Sequence, residues 1–335
     1  MKTKFLLLAT LAITFTSCND DDSAVTPMSA SEFKIVTSSN TSGKVTFSDL
    51  SVASPMVKSF TISSIDTDGV YYDSSTDEVI LASRSNNKLE VYGGLQSAIT
   101  NNLTSLSTKF SSASEFSNPR ETAVYGDKVV VTQDQAASNG NTNKLLVYQK
   151  TATGLNLLNV YTVNFKNWGI FLNGTTLYAT ADLTGDIVIF ENFFSNPNGA
   201  ITPTKRVTIQ GLVRTHGIAF SSVDNRMVLT DVGAASSDSD GGLIIINNFS
   251  SVLAATPNMG TIATSSQVRL YGPNSTLGNP VDVSYDDVTE QVFVAERLNA
   301  GGKLLTFNLP TVNGDAAPTM SRPEPGISSV YLIRK

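Results

Sequence analysis

The sequence predicts an all-β fold, a six-bladed β-propeller of four-stranded blades, and two features of the chain support this. A unit of short apolar strands joined by tight polar turns occurs five times between residues 69 and 307. The residues that end the first strand of each unit lie 47 to 65 positions apart, close to the length of a propeller blade. These residues are Tyr72, Tyr125, Leu172, Phe220 and Tyr285.

Each unit has the same internal order. A first strand is followed by a tight turn, a second strand that ends in a polar or acidic residue, a loop and a third strand. The strands are rich in Val, Ile, Tyr and Phe, which favour pleated sheet. The units cover residues 69–92, 121–148, 167–190, 216–249 and 279–307, with weaker fourth strands expected at 59–66, 159–165, 205–210 and 267–271. No stretch after the N-terminal segment keeps a 3.6-residue apolar period, so helices should be minor.

The two ends of the repeat region complement each other. Residues 33–50 resemble second and third strands without a first, and residues 326–333 resemble a first strand without the rest. Pairing them in one blade would give the sixth blade and close the ring, because closure removes exposed sheet edges.

Composition excludes several classes of function. The chain of 335 residues has 23 basic and 29 acidic side chains, and this acidic balance argues against a nucleic-acid partner. A single cysteine and a single histidine exclude CxxC and HExxH sites. The sequence has no GxGxxG, Walker A or GxSxG motif.

The N-terminus has the pattern of a secretory signal. Lys2 and Lys4 precede an apolar run over residues 5–15, which is too short to span a bilayer as a helix. The only cysteine, Cys18, follows Thr16 and Ser17. An ordinary signal peptide with an incidental cysteine is the alternative interpretation.

These residues resemble the lipobox of bacterial lipoproteins, with Phe15 where Leu is usual. The resemblance implies that residues 1–17 are a signal peptide and that Cys18 carries lipid, which would anchor the protein to a membrane. Residues 18–31 then form a flexible tether, and residues 32–335 form the propeller domain. The acidic run 20–22 resembles a surface-export signal or is a solvated spacer. We expect an outer-membrane lipoprotein of the cell envelope, which is exposed at the cell surface if the acidic run is an export signal.

The repeat resembles the six-bladed propellers of the NHL, TolB-like and YncE-like groups. Second strands of those groups end in Asp, and third strands end in a valine-aromatic pair. The matching acidic residues here are Asp134, Asp182, Asp231 and Glu296, and the third-strand ends fall at residues 91–92, 147–148 and 189–190. This resemblance predicts architecture and leaves function open, because such folds host binders and hydrolases alike.

Polar residues mark the starts of the first strands, and propeller topology predicts that they ring one mouth of the central channel. They are Glu121, Asn167, His216, Asn279 and Glu324, with Trp168 beside them. We expect these residues to contact a ligand. The alternatives are inter-blade packing for Trp168, a turn role for His216, and acceptance of backbone N–H bonds by the acidic strand ends.

The same residues resemble part of the calcium site of six-bladed lactonases and phosphotriesterases. The resemblance implies Glu324, Asn167 and Asn279 as ligands, completed by Asp282 or Glu121. His216 departs from that pattern. The favoured function is a non-catalytic binding module for a protein or glycan partner that needs no cofactor. The alternative is a hydrolase that depends on Ca²⁺.

The anchor can be tested by substituting the only thiol. Cys18→Ser should leave a protein that is soluble or unprocessed, because the variant has no thiol to acylate. Partitioning between detergent and aqueous phases measures this. Wild-type behaviour of the variant would exclude lipidation at Cys18.

Overall fold

The computed structural model describes residues 32–335, and the predicted signal peptide, Cys18 and tether lie outside them. The described chain contains two short α-helices, Leu95–Thr100 and Phe249–Ala255, and none of its helices is long and apolar enough to cross a membrane. All other regular structure is β-strand and short 3-10 turns, as the sequence predicts.

Six antiparallel sheets form the ring, which confirms the predicted six-bladed propeller. Blade 1 contains β1, β2 and β3, which are Phe33–Ser39, Lys44–Asp49 and Met56–Thr61. Blade 2 contains β4 to β7, which are Thr67–Asp73, Glu78–Ser83, Lys88–Gly93 and Thr108–Ser111. Strand β3 begins and ends earlier than the predicted 59–66.

Blades 3 and 4 each gain a short fifth strand that the sequence did not predict, and these two strands pair in parallel. Blade 3 contains β8 to β11, which are Pro119–Tyr125, Lys128–Gln133, Asn143–Lys150 and Leu155–Val163, and then β15, Gly199–Ala200. Blade 4 contains β12, β13, β14 and β16, which are Asn167–Asn173, Thr176–Ala181, Asp186–Phe190 and Lys205–Ile209, and then β20, Thr261–Ile262.

Blades 5 and 6 have four strands each. Blade 5 contains β17, β18, β19 and β21, which are Thr215–Ser221, Arg226–Asp231, Gly242–Ile246 and Val268–Tyr271. Blade 6 contains β22 to β25, which are Pro280–Asp286, Gln291–Glu296, Lys303–Asn308 and Met320–Pro323. The insertion after blade 5's third strand holds the second helix and β20.

The last strand, β26, closes the ring as predicted. It runs over Ile327–Arg334 and pairs antiparallel with β1 from Phe33↔Arg334 to Ser39↔Ile327. The innermost strands of the six blades are therefore β4, β8, β12, β17, β22 and β26. Where a two-residue hairpin joins an inner strand to its neighbour, Gly126 and Gly174 supply the positive φ at the first central position.

The core is divided among the blade interfaces. Six clusters of buried apolar side chains occur, one between each pair of neighbouring blades, including the pair formed by blades 6 and 1. Burying apolar surface at about 25 cal/mol per Å² is the main force holding such sheets together. The ring thus has no weak seam where its ends meet.

Two side chains on the closing strand pack against this seam to different depths. Ile327 is fully buried between blades 6 and 1, whereas Leu332 contacts the same cluster but is half-buried and also lines the channel. We expect Ile327→Ala to cost about 2–5 kcal/mol of unfolding free energy, as for other large-to-small core changes. Leu332→Ala should cost clearly less. Denaturant melts of both variants measure the difference, and equal losses would contradict the proposed seam.

Candidate functional site

The second residues of the six inner strands lie at one end of the channel. They are Asp68, Arg120, Trp168, His216, Val281 and Ser328, and we call this set the plug. Five of the six are buried, and Arg120 is nearly so. The plug therefore fills the mouth where the sequence predicted a ligand site.

Stacked rings hold the plug together. The Trp168 and His216 rings lie parallel, 3.6 Å apart with 6° between their planes. The Arg120 guanidinium lies 3.9 Å from the centre of the Trp168 ring, in cation–π geometry. These three residues come from blades 3, 4 and 5, so the stack ties three neighbouring blades across the axis.

Alternating charges surround the stack. Arg120 lies 3.6 Å from Asp68 and 3.0 Å from Asp134. Lys166 lies 3.8 Å from Asp134 and 2.8 Å from Asp182. Arg84 extends the chain on the far side, 3.8 Å from Asp68. Arg84, Arg120, Lys166 and the three aspartates Asp68, Asp134 and Asp182 therefore alternate in sign around the stack.

Asp182 is the centre of the most tightly paired part. It accepts hydrogen bonds from Arg214 Nε at 2.6 Å and Leu183 N at 2.7 Å, and its Oδ1 lies 3.0 Å from His216 Nε2. Burial alone would raise the pKa of Asp182, but the bonds from His216 and Arg214 outweigh burial and hold it below its usual range. Burial lowers the pKa of His216 to about 4, so the ring is neutral at pH 7.

Asp231 and Glu296 are the other two acidic residues at the ends of second strands. They accept backbone N–H bonds, which is the alternative role given in the sequence analysis. Asp231 accepts hydrogen bonds from the N–H groups of Val213 and Arg214 at 3.1 and 2.9 Å. Glu296 accepts four backbone N–H groups, those of Gly278, Asn279, Leu298 and Asn299. Both carboxylates fix the loops between blades.

Of the predicted ligand-contact residues, Trp168 and His216 meet in the plug, and the others lie elsewhere. Asn167 donates to Lys144 O at 2.8 Å, and Asn279 donates to Ala235 O at 2.9 Å, each between two blades. Glu324 accepts a 2.6 Å bond from Arg322 and a bond from Thr37. Glu121 lies one residue deeper in the channel than the plug.

The calcium ligands implied by resemblance thus have separate environments. The side-chain oxygens of Asn167 and Asn279 are buried without a hydrogen bond, but they belong to different blade interfaces. Within residues 32–335, no group of three His, Cys, Asp or Glu side chains is placed to hold a metal ion. Calcium binding stays a prediction.

The opposite end of the channel is open. A cavity of about 430 Å³ lies between the inner strands, within the usual size range of small-ligand sites. Its walls include Tyr71, Phe171, Phe220 and Tyr331, and its innermost lining residues are the third residues of β8 and β22, Glu121 and Asp282. We call these two carboxyls the floor.

Close approach of the strands explains why the channel narrows at the floor. Gly169 and Gly217 occupy the third position in β12 and β17. A Cβ on Gly169 would clash with His216 O, and one on Gly217 would lie 2.9 Å from the backbone of Asp282. Only a residue without a side chain fits there.

Both floor carboxyls are buried, and both contact the closing strand. Asp282 accepts bonds of 2.8 Å from Val283 N, Val330 N and Ser329 Oγ. Glu121 accepts a 2.8 Å bond from Thr122 N and a 3.5 Å bond from Ser329 Oγ, both to Oε1. The sequence placed Glu121 at the mouth and treated Asp282 only as a spare metal ligand.

Burial raises the pKa of both groups, and the charge of Asp282 adds to the rise for Glu121. Burial comes first for Asp282 and raises its pKa to about 7. Burial and the negative charge of Asp282 raise the pKa of Glu121 well above its usual range. Burial raises the pKa of Asp68, in the plug, to about 6 against the pull of Arg120 and Arg84.

Nothing in the sequence marks the floor directly. Glu121 and Asp282 are 161 residues apart, and only the inner-strand register brings them together. Aligning the five tight turns and counting back to the third residue of each first strand would have found them.

Comparisons with known proteins agree on the fold. No family model and no curated protein matches the chain. A chain of the nidogen/laminin complex matches 90% of this chain and 97% of its own length, with a TM-score of 0.60 and 11% identity. A Bacteroides caccae protein of unknown function matches 91% and 100%, with a TM-score of 0.56 and 9% identity. A Bacteroides fragilis protein, provisionally described as a 6-phosphogluconolactonase, matches 90% and 98%, with a TM-score of 0.59 and 9% identity. At such identities the likeness shows the propeller fold alone.

The floor predicts a dependence of stability on pH. A carboxyl whose pKa is raised by folding stabilises the fold at low pH, and this contribution is lost as pH rises through the folded pKa. Glu121→Gln removes this buried acid, so it should raise the unfolding free energy relative to wild type by roughly 1–3 kcal/mol at pH 8 and by much less at pH 5, close to the ordinary carboxyl pKa.

Denaturant melts at both pH values make the measurement. The control is Asp127→Asn, which removes an exposed carboxylate from the β8–β9 turn outside the cavity. It should change stability little at either pH. Equal destabilisation by Glu121→Gln at both pH values would contradict the raised pKa.

Proposed function

We propose that this protein is a lipid-anchored, non-catalytic binding module of the cell envelope, which takes the end of a protein or glycan partner into the cavity. The open cavity with aromatic walls is the observation that carries this proposal. The opposite mouth is filled by paired charges, so a ligand has one way in.

Aromatic rings give the cavity its binding surface. Tyr71 and Tyr331 lie side by side with ring centres 4.8 Å apart, and both are partly exposed. Phe171 adds a third partly exposed ring. Rings of this kind stack on sugar faces and on the methylene chains of peptides at little entropic cost.

The chemistry of the cavity favours binding over catalysis. His216 is the only histidine in the chain, and it stacks in the plug with its Nε2 against Asp182. Serine residues in the cavity wall, such as Ser221 and Ser284, therefore have no imidazole base. Ser221 donates to Asp287 at 2.6 Å, and Ser284 donates to Val330 O at 2.8 Å.

The cavity and the point where a tether would attach lie at the same end of the propeller. Glu32 pairs with Lys335 through two backbone hydrogen bonds of 2.9 and 3.1 Å, and Lys335 lines the cavity rim. A lipidated segment upstream of Glu32 would therefore join the domain beside the opening. This supports a partner that is itself close to the membrane.

Removing an aromatic wall residue should abolish binding. Saturation-transfer NMR of the purified protein against a panel of saccharides and short peptides should identify binders whose signal is lost in Tyr71→Ala and Tyr331→Ala. Tyr125→Ala is the matched control, because Tyr125 is 46% exposed at the end of β8 and lies outside the cavity.

Repeating the titration with EDTA separates this function from the alternative hydrolase. We expect unchanged affinity and no product, since binding by the rings needs no metal. Loss of binding that calcium restores, or turnover of a panel member, would favour the calcium-dependent hydrolase. If Tyr125→Ala weakens binding as strongly as Tyr71→Ala and Tyr331→Ala do, the binding site lies elsewhere.

A further inference from the structure

We infer that the cavity is a site for an ammonium group, whether the ammonium belongs to a lysine side chain or to an amino sugar. This inference rests on the proposed function and specifies the chemistry of the ligand. It follows from the balance of charge around the cavity and from one carboxylate oxygen that no residue of the described chain engages.

Acidic groups outnumber basic groups in the cavity lining. Five carboxyls line it, those of Asp73, Glu121, Asp282, Asp286 and Asp287, against the two basic residues Arg334 and Lys335. Two of the five carboxyls have a basic neighbour. Asp73 lies 3.5 Å from Lys150, and Asp286 lies 3.3 Å from Arg334.

The remaining three carboxyls have no basic group within 4 Å among residues 32–335. Asp287 accepts a bond from Ser221 only. The floor carboxyls are at least nine-tenths buried, with relative exposures of 7% for Glu121 and 6% for Asp282. The carboxyl of the plug differs, because Asp68 lies within 4 Å of both Arg84 and Arg120.

One oxygen of the floor is available to a ligand. Glu121 Oε1 accepts the two hydrogen bonds given above, whereas Oε2 accepts none and remains accessible from the cavity. Asp282, behind it, has both oxygens engaged by its own strand and β26. A ligand that reaches the floor therefore meets Oε2 of Glu121 first.

Desolvation decides which ligand fits. A ligand that fills the cavity displaces the water that now solvates the floor, and a buried charge without a partner is costly. A neutral ligand would leave that charge uncompensated, and an anion would be repelled. An ammonium group supplies both a positive charge and N–H donors, and its methylene groups can lie against Tyr71, Phe171 and Tyr331.

A metal ion is a poorer match for the same site. Calcium takes six to eight oxygen ligands at short distances, and residues 32–335 place no three carboxyl or imidazole groups together for it. An ammonium group needs one accessible carboxylate oxygen and an apolar wall, and the cavity has both.

Four small probes in two matched pairs test the inference on the purified protein. Glucosamine is compared with glucose, and Nα-acetyl-lysine amide is compared with the same compound acetylated on Nε. Each pair differs by one positive charge. We expect NMR titration to show binding of at least one cationic member and at least tenfold weaker binding of its neutral partner. The pair that binds identifies the source of the ammonium.

Two variants locate the charge that the probe contacts. Glu121→Gln should weaken the cationic probe at least tenfold while the protein stays folded, since the amide has nearly the same shape. Asp127→Asn removes a charge at the same end of the propeller but outside the cavity, and it should leave affinity unchanged.

The outcomes separate this inference from the proposed function. Equal binding of neutral and cationic members, or full binding by Glu121→Gln, would overturn the ammonium site but keep the cavity if Tyr331→Ala still abolishes binding. Binding that Tyr331→Ala leaves intact would overturn the cavity itself. Failure of all four probes would overturn the ammonium inference, while any other binder that Tyr331→Ala removes would keep the proposed function.

Discussion

The antiparallel pairing of β26 with β1 is the interaction on which the rest of the structure depends. It turns a row of six sheets into a ring and completes the sixth apolar interface, so that every blade has two neighbours. It also builds the floor. Ser329 of β26 donates to Asp282 and contacts Glu121, and Val330 N donates to Asp282. Without closure these two carboxyls would lose the hydrogen bonds that β26 donates. Fold stability and the chemistry of the cavity are therefore linked through one strand.

The channel has two ends of opposite character because neighbouring register positions carry different residues. At the second position, Arg120, Trp168 and His216 stack and cover the axis, and the charges beside them pair. At the third position, glycine in three of the six strands lets the backbones approach, and Glu121 and Asp282 occupy the remaining space. The charged residues at the second position thus belong to a network of ion pairs, whereas the carboxyls at the third position have no cation beside them in the described chain. A protein that only needed stability would gain from neutral side chains at the third position.

Architecture could be predicted from the sequence because strand patterning and turn chemistry are local properties. The repeat, the closing strand and the small helical content follow from residues near one another in the chain. The parallel fifth strands, such as Gly199–Ala200, depend on tertiary contact and have no such signal.

The site was predicted less well for the same reason. The sequence located the starts of the first strands only to within three residues, whereas the plug residue Arg120 and the interface residue Asn167 differ by a single register position. An error of one residue moves a side chain from the channel to a neighbouring blade.

The acidic residues illustrate how similar patterns have different physical outcomes. Asp182 and Asp231 both mark the end of a second strand, yet Asp182 follows β13 directly whereas Asp231 is the last residue of β18. That offset of one position turns Asp182 toward Arg214 and His216, and it turns Asp231 toward the backbone N–H groups of Val213 and Arg214. Both carboxylates find donors, so neither is free to bind anything else. Glu121 differs because one of its oxygens accepts no hydrogen bond, and neither Glu121 nor Asp282 has a basic group within 4 Å among residues 32–335. Acidic residues alone therefore do not distinguish the cavity. What distinguishes it is a buried carboxyl with an oxygen that a cationic ligand can contact.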